Sequence, residues 1–343
     1  MTRQTILRAL AALAVVAAGS AFLARRATVP PAPPPEPVRL GLALQPSDGL
    51  MIVAERLGYL ARAGLAAQVH RYPSGRRALD EGLLDGQVDI AGCADVPLAQ
   101  AGLAGRALRV LAQVAHSSNL NRIVARRDSG IRGLADLRGR RIGTQGDSAA
   151  HYFLYLILAD HGLAESDIDL RRLPAEALAP ALAAGTIDAF SMREPYVTQA
   201  RDLLGDQALT LSAPGLYPQS EVLVARADWL AAHPETARRL MRALAAARDW
   251  LRANPGPAQD LIAAALGLAP GALADEWADL RLGLSLPQSL LPALERLAAW
   301  TAGRAPPGPQ PERGPATTPP DFLDLIAPQA LEAVDPAAVT YIH

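Results

Sequence analysis

The chain contains no lysine: all 33 of its basic residues are arginine. That excludes a phosphate-binding loop with its lysine, a Schiff-base lysine and an ammonium general base. Cys93 stands alone, so no disulfide closes within the chain and no cysteine-rich zinc site exists. The six histidines (His70, His116, His151, His161, His233 and His343) include no pair at helical ligand spacing, and no metal is expected. Aromatic residues make up only 4% of the chain and the net charge is -1, which argues against a nucleic-acid groove with its basic stripe and stacking platforms. No glycine-rich dinucleotide fingerprint and no Ser-His-Asp order stands in the context it requires, so no cofactor and no catalytic residue is assigned.

What is present is a repeat. Leu83-Leu84-Asp85-Gly86-Gln87-Val88-Asp89-Ile90 returns 99 positions later as Leu182-Ala183-Ala184-Gly185-Thr186-Ile187-Asp188-Ala189. Each copy runs from an apolar helical stretch through a glycine, which tolerates the left-handed conformation that closes a helix, into a short buried strand. An acid follows each strand, Asp95 in one copy and Glu194 in the other. A proline enters each helix from the preceding strand, Pro73 after Val69–Tyr72 and Pro174 after Leu170–Leu173. Two similar αβ units follow from this, and loops at the carboxyl ends of such strands are where open α/β sheets bind ligands. The alternative for both acids is that they decorate the first turn of the next helix, where the dipole favours them.

At 343 residues and 36.0 kDa the chain has room for two compact lobes. Residues 1–37 follow the export pattern: Arg3 and Arg8 precede the apolar run Ala9–Leu23, with Gly19-Ser20-Ala21 as a small-residue cleavage site and Arg25-Arg26 leaving an uncleaved anchor open. Pro30–Pro35 reads as a stiff polyproline spacer. Apolar runs then alternate with helical spacing: strand Val38–Leu44, helix Leu50–Ala63, strand Leu65–Tyr72, helix Ser74–Leu84, strand Val88–Gly92, a helix from Val96 and strand Ala107–Val114. Leu120–Arg126 reads as a strand, after which a second lobe takes the strand ending at Gly143, the helix Ser148–His161, the second αβ unit, the helix Tyr196–Leu204 and a strand near Leu209. Glu221–Ala225 returns to the first lobe. Four helices follow, Pro234–Ala253, Pro257–Leu266, Pro270–Leu284 and Pro287–Ala302, each with proline at or near its start. Residues 304–320 read as an irregular loop, and Asp321–His343 as one short helix and an extended end. Lobe one is thus 38–126 with 220–343, lobe two is 127–219, and each is expected to be a mostly parallel sheet flanked by helices.

Several segments, in order along the chain, resemble a known family: Ala54-Glu55-Arg56-Leu57-Gly58-Tyr59-Leu60, Tyr72-Pro73-Ser74-Gly75, Arg127-Asp128-Ser129-Gly130-Ile131, Leu134–Gly143, Gly143-Thr144-Gln145-Gly146-Asp147-Ser148-Ala149-Ala150-His151-Tyr152, and Arg193-Glu194-Pro195-Tyr196. They are similar to the nitrate, sulfonate and taurine type (NMT1/THI5-like) of substrate-binding proteins that serve ABC importers. The resemblance covers roughly residues 38–255. It implies a type II periplasmic-binding fold that catches a small organic solute between two α/β lobes, closes, and presents itself to an importer permease without chemistry. It further implies an extracytoplasmic monomer that meets membrane only through its N-terminal segment or the permease. Enzymes of lyase or pyrimidine-forming type on the same fold, and a membrane-tethered ligand sensor, are the competing classes.

Family contacts carry over to Gln45, Ser47 and Asp48, to Cys93, Ala94 and Asp95, to Asp147, Ser148, Ala149 and His151, and to Glu194, while Tyr196 is added as an aromatic able to stack on a ligand or cap the cleft. The turn Gly143–Ala149 offers free backbone N–H groups and a helix N-terminus to a ligand. If at least two of the carboxylates Asp48, Asp95, Asp147 and Glu194 face inward, they oppose an oxyanion and favour a cation or a neutral hydrogen-bonding ring, whereas Asp147 as a helix cap leaves the ligand charge open. Asp147 also reads as the N-cap of the helix at Ser148, His151 as a satisfied core histidine, Arg193 as a solvated arginine, and Tyr152, Tyr155 and Tyr217 as packing.

Overall fold

Two mixed sheets hold the repeat. The first has the order β11-β4-β10-β3-β1-β2 and the second β7-β6-β8-β5-β9. In the first, β1 (Glu36–Ala43) pairs in parallel with β2 (Leu65–Tyr72) and β3 (Ile90–Ala94), while β4 (Leu108–Ser117), β10 (Gln219–Arg226) and β11 (Arg281–Ser285) join antiparallel. In the second, β6 (Arg141–Thr144) pairs in parallel with β7 (Asp169–Arg172) and β8 (Ala189–Met192), while β5 (Arg122–Arg126) and β9 (Ala208–Leu211) join antiparallel. Each sheet is therefore parallel only across its three-strand repeat, not throughout. The computed structural model describes residues 34–303 and 321–340. The export segment and the loop at 304–320 lie outside the described residues, apart from the last few residues of the spacer. Among the described residues no helix is long and apolar enough to cross a membrane.

The two copies fold alike down to their side chains. Gly86 and Gly185 take φ of 73° and 69°, ending the Ala78–Leu84 and Ala175–Ala183 helical segments in left-handed turns. Asp89 then accepts from the backbone N–H of Arg39 at 2.8 Å and from its guanidinium at 2.6 Å. Asp188 does the same with Arg141, at 2.8 and 2.5 Å. In both copies an arginine on the central parallel strand thus clamps the carboxylate that ends the repeat.

Some expectations change. β5 pairs with β8 and β9, so the first passage between sheets falls between Ser117 and Arg122, upstream of a boundary at 126; the second lies between Leu211 and Gln219. The helix expected over 50–63 breaks at Gly58, whose φ of 72° separates Gly49–Arg56 from Tyr59–Arg62. The helix expected over 270–284 is instead a short turn, Ala274–Trp277, followed by β11. There Leu280, Leu282 and Leu284 are buried on alternate positions, a period of two that fits pairing with β4. The C-terminal segment lays the helix Gln329–Glu332 and two single bridges, Val110 to Ile326 and Leu286 to Val339, against the first sheet and its neighbours.

The candidate binding seam between the two sheets

The carboxyl ends of the two parallel triplets face each other. Immediately after β2, the Pro73 carbonyl accepts from Tyr196 Oη at 2.7 Å, and Ser74 Oγ accepts from Gln145 Nε2 at 2.9 Å. Tyr196 and Gln145 follow β8 and β6 of the other sheet. Arg193, the residue after β8, donates to Glu221 Oε1 at 2.6 Å, and Glu221 lies on β10 directly beside Ala94 at the end of β3. Further out, Arg76 donates to the Asp147 carbonyl at 2.6 Å, and Arg77 pairs with Glu176 at 2.9 Å.

Buried polar atoms without partners gather at this seam. Gln45 and Ser47, in the turn after β1, are 2% and 0% exposed, and neither Gln45 Nε2, Gln45 Oε1 nor Ser47 Oγ finds a hydrogen-bond partner among the described residues. The same holds for Asp48 Oδ1 and Glu221 Oε2. Their sister oxygens are engaged: Asp48 Oδ2 accepts from the Ala43 N–H at 2.8 Å, and Glu221 Oε1 accepts from both Arg193 and Gln219. Gln219 in turn accepts from Asn121 at 2.8 Å, so one chain of bonds runs from the first passage through the second to the seam. Leaving a buried donor or acceptor unmade costs on the order of 1–3 kcal/mol each, so these five atoms have bonding capacity left for a further partner.

Burial and the neighbouring Glu221 charge push the Asp48 carboxyl well above the ordinary carboxylate range. Asp48 Oδ1 packs directly over Gly92, so closely that a Cβ there would stand 2.5 Å from it. The Cys93 thiol, wholly buried, is pushed well up by burial and by Glu221, Asp48 and Asp95. Ala94 caps the next helix at its N-terminus.

Asp95 and Glu194 are both buried and both committed to their own surroundings. Asp95 Oδ1 accepts from Val96 N at 2.9 Å and from the Tyr217 hydroxyl, and Oδ2 from Ser220 N at 3.0 Å. Burial nevertheless lifts it to about 7. Glu194 accepts from the backbone N–H of Thr198 at 2.9 Å and from its hydroxyl at 3.0 Å, closing the first turn of the helix Tyr196–Leu204. Each acid thus decorates a helix start while facing inward.

The turn before the helix Ala149–Asp160 departs from expectation. Its N-cap is Ser148, whose Oγ accepts from the His151 N–H at 3.3 Å and donates to the Gln145 carbonyl at 2.7 Å; Asp147 sits one residue earlier at φ 53° with its side chain 55% exposed. His151 is wholly buried, accepts from the Asp147 N–H through Nδ1 at 2.9 Å, and packs edge-on against Trp300, so it props the turn from behind. Ala149 is buried at the first helical position. Tyr152 and Tyr155 of this helix join Tyr217 and Trp300 in an aromatic cluster. Arg193 is not a solvated arginine: it is 6% exposed and ion-paired.

Of the residues expected to bind, the structure therefore brings Gln45, Ser47, Asp48, Cys93 and Ala94 together with Tyr196. Arg193, Glu221 and Gln145 belong to the same seam but were not among them. Glu221 carried a readable signal, the lone charge in the buried run Gln219–Ala225 of β10. Behind Glu194 lies Glu276, pushed up to about 8 by burial and by the Glu194 charge. Among the described residues no group of three or more His, Cys, Asp or Glu is placed to hold a metal ion.

Two α/β sheets joined by two passages and meeting at a buried polar seam define the two-lobe periplasmic-binding class. The solved alkanesulfonate-binding protein SsuA from Xanthomonas axonopodis pv. citri, bound to MOPS, superposes with a TM-score of 0.71 at 23% identity, over 87% of this chain and 100% of that one. The chain belongs to the NMT1/THI5-like family, whose model matches residues 45–258. Among curated relatives, the bicarbonate transport ATP-binding protein CmpC of Synechocystis sp. is 27% identical over 217 residues, 57% of this chain and 32% of that protein. A putative aliphatic sulfonates-binding protein of Escherichia coli is 32% identical over 130 residues, 38% of this chain and 40% of that protein. The matched segments thus span 32% and 40% of those relatives' lengths.

Proposed function

We propose that this chain is an extracytoplasmic solute-binding protein that holds a small organic molecule in the seam and delivers it to an ABC importer, without chemistry. The observation that carries this reading is the set of buried, unpartnered polar atoms on Gln45, Ser47, Asp48 and Glu221, lying where two sheets converge. A ligand that satisfies those atoms favours the closed arrangement by its differential contacts with both walls, and an importer permease can read that arrangement. The lobes are residues 38–117 with 219–340, and 122–211, with the passages between them as hinges. The sulfonate- and bicarbonate-related names of the relatives support this reading, as does the export pattern of residues 1–37.

Catalysis fits the same groups poorly. The buried Cys93 thiol is held protonated among carboxylates, the opposite of what a thiolate nucleophile needs. His151 has one ring nitrogen on the Asp147 backbone and the other 3.2 Å from Glu165, so it is not poised as a base toward the seam.

A thermal-shift screen against sulfonates, nitrate, bicarbonate, amines and pyrimidines tests the proposal, since a ligand at a hundredfold excess over Kd adds about 2.7 kcal/mol. At least one compound should raise the melting temperature, and the shift should vanish in Gln45→Leu/Ser47→Ala. Shifts of equal size in that double variant would remove the seam as the binding site.

A further inference from the structure

The unpartnered atoms of the seam are unequal in kind, and their chemistry selects a ligand charge. Two of the five are carboxylate oxygens, Asp48 Oδ1 and Glu221 Oε2; the others are the Gln45 amide nitrogen and oxygen and the Ser47 hydroxyl. Among the described residues the guanidinium facing them is that of Arg193, bound to Glu221 Oε1 at 2.6 Å. While Asp48 keeps its proton the trio of Asp48, Glu221 and Arg193 is neutral, and once Asp48 gives that proton up the trio carries one net negative charge in a region screened from water. An oxyanion entering there would face the Glu221 carboxylate in either state and Asp48 as well once it ionises, and charges a few ångströms apart interact far more strongly in such a medium than in water. A cation would leave the trio neutral and would supply the donors those oxygens lack.

We propose that the seam takes a small organic cation bearing N–H groups, a protonated amine or amidine, whose donors meet Asp48 and Glu221 while Gln45 and Ser47 bind its remaining polar edge. The inference rests on the solute-binding reading above and adds the ligand's charge and donor pattern. Gln45 and Ser47, 2% and 0% exposed, point to a ligand independently of the acids, because a purely ionic role for the carboxylates would not leave a neutral amide and a hydroxyl buried without partners.

A proton linkage follows. Asp48 is faced by Glu221 on β10, by Arg193 after β8, by the Cys93 thiol on β3 and by the Ala43 N–H on β1, with Asp95 and Asp80 further out around Cys93. Burial and the Glu221 charge outweigh the Ala43 and Arg193 contributions, so the ligand-free protein keeps a proton on Asp48 above the ordinary carboxylate range. An incoming cation takes that proton's place. Its affinity therefore rises with pH, by about tenfold per unit while one proton is released per cation bound, and levels off above the pKa of Asp48 in the free protein.

The probes are agmatine, putrescine and benzamidine, set against ethanesulfonate, nitrate and bicarbonate, with binding to the full chain followed by calorimetry from pH 5 to 8. Amine or amidine binding is expected, with proton release visible as a dependence of the heat on buffer ionisation. Asp48→Asn should weaken it at least tenfold and abolish the pH slope, and Glu221→Gln, which keeps the bond to Arg193 within reach, should weaken it without abolishing the slope. Proton release is read on the unaltered protein, so the test survives a variant that fails to fold. Binding of the anions without the amines would overturn the charge assignment and leave solute binding standing. Silence from all six would overturn the assignment and count against the seam as well. Amine binding that is indifferent to both substitutions would overturn it too.

Discussion

Arg193 and Glu221 form a buried ion pair across the two sheets, 2.6 Å between Nη1 and Oε1, with side chains only 7% and 0% exposed. The pair links the end of β8 to the strand that borders β3, and Gln219 and Asn121 extend it into both passages between the lobes. One chain of bonds thus ties the seam to the residues at which the chain passes between the sheets.

Removing one member of such a pair leaves the other charge buried and alone, which costs about 3–5 kcal/mol. Arg193→Met is therefore expected to lower unfolding free energy by that order in urea titrations followed by circular dichroism. Arg193→Met/Glu221→Leu should recover most of the loss, because both desolvated charges are gone. A double variant no more stable than Arg193→Met would show that the ion pair is not what those side chains contribute.

The helix–glycine–strand units were legible because their signals are local: a glycine that must take positive φ at Gly86 and Gly185, and short apolar runs of fixed length. The helix Pro234–Ala253 was equally plain from its periodicity and starting proline. Where the outcome depended on pairing, the sequence pattern misled. Leu280 to Leu284 satisfies helical and strand spacing alike, and only the open edge of β4 decides between them. The site was half legible for the same reason. Gln45, Ser47 and Asp48 follow from the turn after β1, whereas the partner of Arg193 lies 28 residues away on an antiparallel strand, a distance no local spacing encodes. Asp147 looked like the cap because acids favour that place, but its left-handed backbone hands the role to Ser148.

That exchange is measurable. Ser148→Ala removes a side-chain acceptor from the first turn and should cost about 1 kcal/mol. Asp147→Gly should cost far less, because glycine adopts φ near 53° without the penalty a side chain incurs there. Comparable losses in chemical denaturation of the two variants would return the cap to Asp147.

Glu276 sets a pH dependence of known sign. Its folded-state pKa of about 8 lies above the ordinary 4.5, so between those values the folded protein holds a proton that the unfolded chain has lost. Stability then falls as pH rises through that window, by up to about 1.4 kcal/mol per unit. Asp95, lifted to about 7, acts in the same direction below that pH. Glu276→Gln should therefore flatten the decline most visibly between pH 7 and 8, where Asp95 no longer contributes. Urea unfolding at pH 6, 7 and 8 reads this directly, and an unchanged slope in the variant would exclude Glu276 as its source.

The two arginine clamps offer a test of the repeat itself. Asp89 and Asp188 each accept the backbone N–H and the guanidinium of one arginine, with donor distances that agree within 0.1 Å between copies. Arg39 and Arg141 also return the favour through their carbonyls, each accepting from the aspartate N–H at 2.8 Å. Charge-assisted bonds of this kind, partly screened here by solvent at the arginines, are worth about 1.5–3 kcal/mol where their donors stay buried. With the Arg39 and Arg141 side chains 40% and 42% exposed, Asp89→Ala and Asp188→Ala should each cost less than that range, about 1 kcal/mol, and agree within about 0.5 kcal/mol. Because the clamps sit in different sheets and share no side chain, their costs should add to within about 0.5 kcal/mol in the double variant. A large shortfall from additivity in the double variant would mean that the two clamps are not independent, and a wide gap between the single variants would mean that the repeat is one of backbone path alone.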